Sequence, residues 1–586
     1  MKYPDPNLSR VLYIDLTNKK FWTEDRSDLF FKYIGGTGVA INLLLEECPE
    51  GIDPYDPRNP IIFAVGPFIG VYPTASKTVA MFKSPLTGNL GESHAGGRSA
   101  VTIRSAGYGA IVIKGRSDIP VYLEIGYNKV QFGDASTLWG MRSSFTVGRV
   151  LRKIGEPGLR TIMRIGRAGE RLVKYASVIT ETYRHFGRLG LGAVFGSKRL
   201  KAIVIYGRQN IPIRKATAYR KMYDEIYNRL MRSDAMKKYH DIGTPVNVLP
   251  LNELGALPTK NLTQERFEYA EEISGENLAK IYLSRRVACA HCPVACIHLA
   301  ALREPYEDEP YYYKTRFVSY DYEPIYALGS MLGIGHVNGL LKLLDEVELN
   351  GLDAMSTGVV LAWATEAFSK GLFSEQDTLG LKPSWGDYIT YTKMVRHIVD
   401  QPNEFYRNLA QGVEYASSVY GGSEFALAFG KNEMPGYNTG PMGYLGFAIG
   451  ARHSHLDNGG YSFDQKTIGK QLTPEDVIEK LMDEEEWRQV LSSLVVCFFA
   501  RGVYKPDLVS RALEAIGLRY SEVDLNAIGK DIYILKYKFK FREGFSVEKL
   551  RIPKRVFEVN TPHGRLDATF MEKALEIFKS KISELM

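Results

Sequence analysis

The chain has 586 residues, of which 45% are hydrophobic, 24% charged and 12% aromatic, and it carries a formal charge of +7. That composition excludes disordered and fibrous classes and implies several packed units with core enough to need no disulfide staples. The charge is slight at this length and the basic residues form no stripe, so nucleic acid is not an expected partner.

The first two hundred residues read as strand-rich. Short β-branched runs recur between Gly and Pro punctuation: RVLYIDLT, PIIFAVGP, KTVAMF, GAIVIKG, PVYLEI, LRTIMRIG, YASVIT and KAIVIYG. AIVIKG (Ala110 to Gly115) and AIVIYG (Ala202 to Gly207) are close copies, which permits two similar β halves in one domain. Gly207 to Ile213 reads as a boundary. From about Ala216 the periodicity is helical, as in AYRKMYDEIYNRLMR, HVNGLLKLLDEVEL, VSRALEAIGL and the closing ATFMEKALEIFKSKISEL. YGGSE at Tyr420 to Glu424 interrupts the helices. The expected fold is therefore α+β: a β-rich domain over residues 1–209, then two mainly helical domains over 210–420 and 421–586.

The five cysteines, Cys48, Cys289, Cys292, Cys296 and Cys497, are an odd and low count, which argues against an extracellular disulfide framework. The opening MKYPDPNLSRVLYIDL has no apolar core after a basic start, so no signal peptide is expected. Apolar runs such as Leu491 to Ala500 are about half the ~18 residues that span a bilayer. A cytoplasmic protein without a membrane span is expected.

Cys289-Ala-His-Cys292-Pro-Val-Ala-Cys296 has the spacing C-x2-C-x3-C, which lets one turn of chain aim three thiolates at a single centre. Four thiolates hold a [4Fe–4S] cluster, and Cys497, in apolar LVVCFFA, is a suitable distant fourth. Zinc held by the triplet with His291 or His298 is the alternative, and Cys497 alone also reads as a core thiol. Cys48 reads as structural.

Two glycine-rich stretches pair backbone amides with cations and suit a phosphate-bearing ligand: Lys83 to Arg98, with His94, Gly96 and Gly97, and Tyr183 to Gly192, with Arg184, His185, Gly187 and Arg188. Plain turns between strands would use the same glycines. Neither G-x-G-x-x-G nor a P-loop is present. Arg452-His453-Ser454-His455-Leu-Asp457 gathers two of the ten histidines. Glu323 precedes apolar YALGSMLGIG, where a carboxyl would have a raised pKa useful for proton transfer, or would simply cap a helix.

In order, these segments resemble the tungsten-containing aldehyde:ferredoxin oxidoreductase family almost end to end. The matching blocks include Ser9 to Leu16, Gly35 to Glu47, KSPLTG at Lys83 to Gly88 and IGRAGERLVKYA at Ile165 to Ala176. GRLGLGAVFGSKRLKAI at Gly187 to Ile203, LPTKN at Leu257 to Asn261, the cysteine triplet, DYEPIYALG and NGLDAMSTG at Asn350 to Gly358 follow. The resemblance implies a tungsten or molybdenum atom on two pterin dithiolenes with no protein ligand, Mg2+ bridging the pterin phosphates, and a [4Fe–4S] cluster on Cys289, Cys292, Cys296 and Cys497. It implies oxidation of an aldehyde by water, with electrons leaving to ferredoxin or a small iron–sulfur subunit. Glu323 matches the family's active-site glutamate, and the histidine falls within Arg452 to His455, with His455 the first choice and His453 the second.

Lys77 stands where many members have arginine, and His94 where they have asparagine. Gly96, Gly97, Arg184, His185, Gly187, Arg188 and Arg452 fit the pterin and phosphate loops. Of the two D-x-x-G-L-[DC] pterin motifs, the first reads Glu348-Leu-Asn-Gly351-Leu352-Asp353. The second, Ser492-Ser-Leu-Val495-Val496-Cys497, has lost both the acid and the glycine. Where some members bind a bridging iron at a homodimer interface through E-x-x-H, this chain has Lys342-Leu-Leu-Asp345, so that iron and its dimer are not expected. Two other functions stay open at this point: low-potential reduction of aromatic acyl-CoA type within the family, and a zinc-stabilised binding protein outside it.

Overall fold

The computed structural model describes residues 3–156, 158–181, 183–306 and 309–586. Twelve strands occupy the N-terminal part. They are β1 (Arg10–Asp15), β2 (Lys20–Asp25), β3 (Ile61–Ala64), β4 (Thr78–Lys83), β5 (Leu90–Ala95) and β6 (Ala110–Lys114), then β7 (Val121–Gly126), β8 (Lys129–Asp134), β9 (Leu159–Ile165), β10 (Val178–Thr180), β11 (Arg184–Phe186) and β12 (Leu200–Gly207). They form two six-stranded sheets, ordered β2-β1-β6-β3-β4-β5 and β8-β7-β12-β9-β10-β11. The topologies are identical, and in each sheet the first strand pairs parallel with the last, β1 with β6 and β7 with β12. AIVIKG and AIVIYG are therefore equivalent strands of two halves. Both are buried on both faces, which is why they are written in β-branched residues without alternation.

Helices dominate after Ala216, as the periodicity predicts. Val337–Asn350 begins with the His336 side chain accepting from Gly339 N at 3.0 Å and ends on Gly351 in the left-handed region. The long helix Pro474–Ser493 packs against Gly36–Glu47, Glu522–Arg542 and Ala568–Leu585, and one continuous apolar core joins the two sheets to the helices. A departure from the helical expectation is a three-stranded antiparallel sheet, β13 (Leu283–Val287), β14 (Ile297–Tyr306) and β15 (Glu309–Tyr320). Its aromatic and β-branched YYYKTRFVSY run favours strand over helix. A second departure concerns the glycine-rich stretches: each contains a short strand, β5 and β11, and β11 pairs antiparallel with β10. Their polar residues conceal the strands because they face a cavity instead of core.

The two halves hold two equivalent turns from the helical part. Ala176 bridges Leu352, with Asp353 N donating to Tyr175 O at 2.9 Å; Ala75 bridges Val496, with Cys497 N donating to Thr74 O at 3.0 Å. Among the described residues no single helix is long and apolar enough to cross a membrane. The bent pair Tyr322–Leu332 and Val337–Asn350 reaches that length only across a 115° break and lies in the core.

Candidate active site

Both turns, both short strands and the β13–β14 loop open onto one cavity of about 370 Å³. The four thiols of Cys289, Cys292, Cys296 and Cys497 all line it. Backbone hydrogen bonds stitch together their separate stretches of chain: Ala290 N to Gly97 O at 2.9 Å, Thr74 N to His291 O at 3.1 Å and Cys497 N to Thr74 O at 3.0 Å. Around them Thr74, His291, Ala295 and Val495 hold φ of +62°, +57°, +52° and +58°, a conformation that costs non-glycine residues about 1–2 kcal/mol each and persists where surroundings enforce it.

Burial pushes the Cys292 and Cys296 thiols up to about 12, which disfavours bare thiolates there. Two buried cations face them. Burial opposes the charge of Lys77, but Cys497 and Cys289 outweigh it, and its pKa is raised. Arg184 is likewise held charged against burial, chiefly by Asp321, whose Oδ2 lies 2.7 Å from its Nη1. A Cβ added to Gly96 would stand 2.7 Å from Cys289 Sγ, so only glycine leaves that sulfur its place. Among the described residues no three His, Cys, Asp or Glu side chains converge on a single-ion site. Four thiols lining one cavity match in number the ligand set of a cluster held by four thiolates. His298 is engaged elsewhere, its Nε2 2.9 Å from His240 O.

On the other side of the cavity, Glu323 and His455 meet. Glu323 lies in the first turn of the helix Tyr322–Leu328, and its Oε2 accepts from Gly436 N at 3.2 Å. His455 opens the helix His455–Asn458 behind a Ser454–Asp457 capping box. His455 Nε2 lies 3.3 Å from Glu323 Oε1. Burial raises the Glu323 carboxyl to about 7, the Gly436 amide and Tyr437 hydroxyl opposing, while burial and then Arg188 lower His455 to about 3. Tyr437 stacks on Tyr461 with centroids 4.0 Å apart and lies 5.2 Å from the His455 ring.

His453, two residues away, does not line the cavity. Its backbone is left-handed, with φ +55°, and it points the other way: Nδ1 approaches Ala448 O at 3.0 Å and Nε2 lies 3.0 Å from Lys540 Nζ. The structure separates the two histidines that the sequence left together.

The remaining residues named from sequence fall into three groups. Lys77, His94, Arg184, His185, Gly187, Arg188, Glu348, Leu352, Asp353 and Arg452 line the cavity. Arg188 Nε is 2.9 Å from Asp353 Oδ2, and Arg452 Nε is 2.5 Å from Asp457 Oδ1. Gly351 and Val496 contribute backbone turns, and Gly97 lies beyond the cavity wall, its φ +98° and its Cα against Glu181 admitting no side chain. Lys342 and Asp345 form ion pairs within the chain, with Glu304 and Arg316.

Sequence reading missed a buried group behind His94: Glu92 Oε1 is 2.7 Å from His94 Nε2, and Glu92 Oε2 is 2.5 Å from Lys536 Nζ. Only the period of two along β5 hints that Glu92 and His94 share a face, and nothing local points to Lys536 or Tyr437. Burial leaves Arg184 Nε, His185 Nε2 and His455 Nδ1 without hydrogen-bond partners among the described residues, although all three residues line the cavity. Orphaned polar groups facing a cleft, the Arg184 Nε donor among them, fit a polar, phosphate-bearing cofactor.

Four thiols and a buried carboxyl–imidazole pair thus share one cavity. The sequence comparisons give the family. The chain matches the profile of the aldehyde ferredoxin oxidoreductase N-terminal domain over residues 11–207 and that of domains 2 and 3 over residues 221–581. It is 33% identical over 581 residues to a tungsten-containing aldehyde ferredoxin oxidoreductase of Thermococcus kodakarensis, covering 95% of this chain and 93% of that one. A Pyrococcus furiosus enzyme of the same description is 32% identical at the same coverage. An aliphatic sulfonate oxidoreductase WOR-like subunit of P. furiosus is 28% identical over 70% of this chain and 66% of its own. The chain belongs to the aldehyde ferredoxin oxidoreductase family and is an oxidoreductase. Its fold also superposes on the active-site complex BamBC of benzoyl coenzyme A reductase in complex with 1,5-dienoyl-CoA, with a TM-score of 0.81 over 100% of this chain and 95% of that one, at 21% identity.

Proposed function

We propose that this chain is a cytoplasmic enzyme that oxidises an aldehyde with water to the carboxylic acid, using a tungsten or molybdenum bis-pterin and a [4Fe–4S] cluster, and delivers electrons to ferredoxin or an iron–sulfur subunit. The observation that carries the reading is the 3.3 Å approach of His455 to Glu323 in the cavity that also receives four cysteines. The tungsten named for two relatives at about a third identity supports the choice of metal.

Cys289, Cys292, Cys296 and Cys497 would hold the cluster. Gly96, Gly187, Arg184, His185, Arg188, Arg452 and the turns at Glu348–Asp353 and Val495–Cys497 would hold the pterins, their phosphates and the Mg2+ that accompanies them. When bound, the metallopterin supplies the two-electron acceptor for the aldehyde carbon. The overall change, RCHO + H2O → RCOOH + 2 H+ + 2 e−, requires the protein to pass two protons. A Glu323 carboxyl near 7 can give or take a proton at neutral pH, and His455, held neutral, accepts hydrogen bonds without adding charge. The Tyr437–Tyr461 stack walls this pair and limits water.

Elemental analysis of anaerobically purified protein, with aldehyde-driven reduction of benzyl viologen, tests the reading. About four Fe with one W or Mo per chain and turnover on an aldehyde are expected; zinc alone would refute it. A second reading, low-potential reduction of an aromatic acyl-CoA, draws on the fold shared with the benzoyl-CoA reductase complex. Turnover on a CoA thioester and none on free aldehydes would favour it.

A further inference from the structure

A second cavity, of about 660 Å³, opens on the far side of Arg184, which lines both. Arginine dominates its walls: Arg98, Arg149, Arg152, Arg160 and Arg285 besides Arg184. Among the described residues its one lining carboxylate, Glu181, is already engaged by Thr180 Oγ1 at 2.9 Å and Arg98 N at 3.2 Å. Arg160 directs Nη1 to the carbonyl of Arg152 and Nη2 to those of Gly155 and Glu156. Arg98 shares the field of Glu181, whereas Arg149, Arg152 and Arg285 are exposed and form no ion pair among the described residues, so their charge faces outward. The cavity reaches Ala288, which leads into Cys289, and Ala290 N is tied to Gly97 O at 2.9 Å. It is thus the outer surface of the loop that carries the thiols.

The sheet face that supplies Arg285 to the cavity wall carries, past the buried Leu299 and Ser319, exposed side chains as well. Arg285 pairs with Leu299, Leu299 with Ser319, Ala301 with Phe317 and Pro305 with Tyr313. Directly paired residues, and residues two apart, share a face of a sheet, so Arg285, Phe317 and Tyr313 lie on one side. Phe317 and Tyr313 are 48% and 53% exposed, and Arg303 covers the Tyr313 ring at 4.9 Å. Exposed aromatic and arginine side chains together are the usual anchors of protein interfaces.

We propose that this arginine-lined cavity and the adjoining sheet face dock an acidic iron–sulfur protein, which takes electrons across the Ala288–Cys289 loop. The inference rests on the function proposed above and places its electron exit. Each aldehyde oxidised releases two electrons, so two one-electron carriers are reduced in turn at this surface. An acidic carrier gains from this positive field in encounter rate, and salt removes that gain.

The test is the holoenzyme with Arg149→Glu, Arg152→Glu and Arg285→Glu, three exposed residues outside the first cavity, probed with an acidic single-cluster ferredoxin. Wild type should reduce ferredoxin at a rate falling about tenfold or more between low salt and roughly 0.3 M salt. The triple variant should be slower at low salt by on the order of tenfold to a hundredfold and nearly salt-independent, with its benzyl viologen rate within about twofold of wild type. Replacing the same arginines by lysine should keep most of the rate. Unchanged ferredoxin kinetics and salt dependence in the glutamate variant would overturn the proposal.

Calorimetric binding of oxidised ferredoxin needs no turnover. If neither protein oxidises an aldehyde, the functional reading fails, and a Kd weakened about tenfold or more in the triple variant still supports the surface, whereas an unchanged Kd overturns it. Pyrophosphate binding that the triple variant abolishes, with ferredoxin binding unaffected, would assign the cavity to a phosphate-bearing ligand and also overturn docking.

Discussion

Val495 stands in one half of the site where Gly351 stands in the other. Both hold left-handed backbone, φ +58° and +72°, and each precedes the residue that bridges the equivalent alanine, Ala75 or Ala176. The second turn keeps its conformation without the residue that makes it cheap, and Val495 is buried. Val495→Gly should therefore change stability little, because relief of about 1–2 kcal/mol of backbone strain offsets about 2 kcal/mol of lost burial. Gly351→Val should cost more than about 2 kcal/mol, since it meets the same strain and its Cβ would press within 2.8 Å of Gly166 N. Thermal midpoints of the two variants check this asymmetry. Equal losses would mean that the halves do not share the strain argument.

Gly96 and Gly187 both lie in the phosphate-loop segments, yet a methyl group would be met differently at each. At Gly96 it would stand 2.7 Å from Cys289 Sγ, and at Gly187 its nearest neighbour would be Asp353 Oδ1 at 4.0 Å. Gly96→Ala should lose most of the cluster's iron and visible absorbance, as Cys292→Ser should, while Gly187→Ala keeps both. Full iron in Gly96→Ala and Cys292→Ser would remove these thiols from the proposed cluster.

Much of this arrangement is legible in the sequence. The duplicated AIVIKG and AIVIYG expose two halves because equivalent buried strands face the same packing demands. The cysteine triplet is visible because its ligands are local. What escapes is set by long-range approach: Lys536 reaches Glu92 across more than four hundred residues, and Tyr437 reaches Glu323 from another element with no motif around it. The strands β5 and β11 escape because cavity-facing polar residues erase the alternation that marks a half-buried strand.

Glu323 should shape both activity and stability against pH. Its carboxyl is raised from 4.5 to about 7, chiefly by burial. A raised acid favours folding while protonated, so this contribution is full below the unfolded value, declines from about pH 4.5 to about 7 and is gone above it. Glu323→Gln should therefore raise the thermal midpoint relative to wild type above pH 7 and leave it unchanged near pH 4.5. The same variant should keep its metal, lose at least about a hundredfold in kcat and lose the inflection near pH 7 in kcat/KM. Wild-type turnover in Glu323→Gln would return this residue to a helix-start role.

His453 and His455 should part in opposite directions. His455 faces Glu323 across 3.3 Å, whereas His453 lies between the Ala448 carbonyl and Lys540. His455→Gln should lose about a hundredfold in kcat with little change in thermal midpoint. His453→Gln should keep most of the activity and lose about 1–3 kcal/mol, because it disturbs the partner of the buried Lys540 Nζ, which is left with the Ala451 carbonyl. Burial, then Lys540, lowers His453 to about 3. A depressed base favours folding while neutral, so its contribution is full above the unfolded value near 6.5 and is lost as pH falls towards 3. His455, His185 and His94, lowered by burial to about 3, 3 and 4, act in the same direction. Wild type should thus lose stability on acidification below about pH 6.5, and His453→Gln should show a shallower slope there from a lower plateau. Activity lost in His453→Gln and retained in His455→Gln would exchange the two roles.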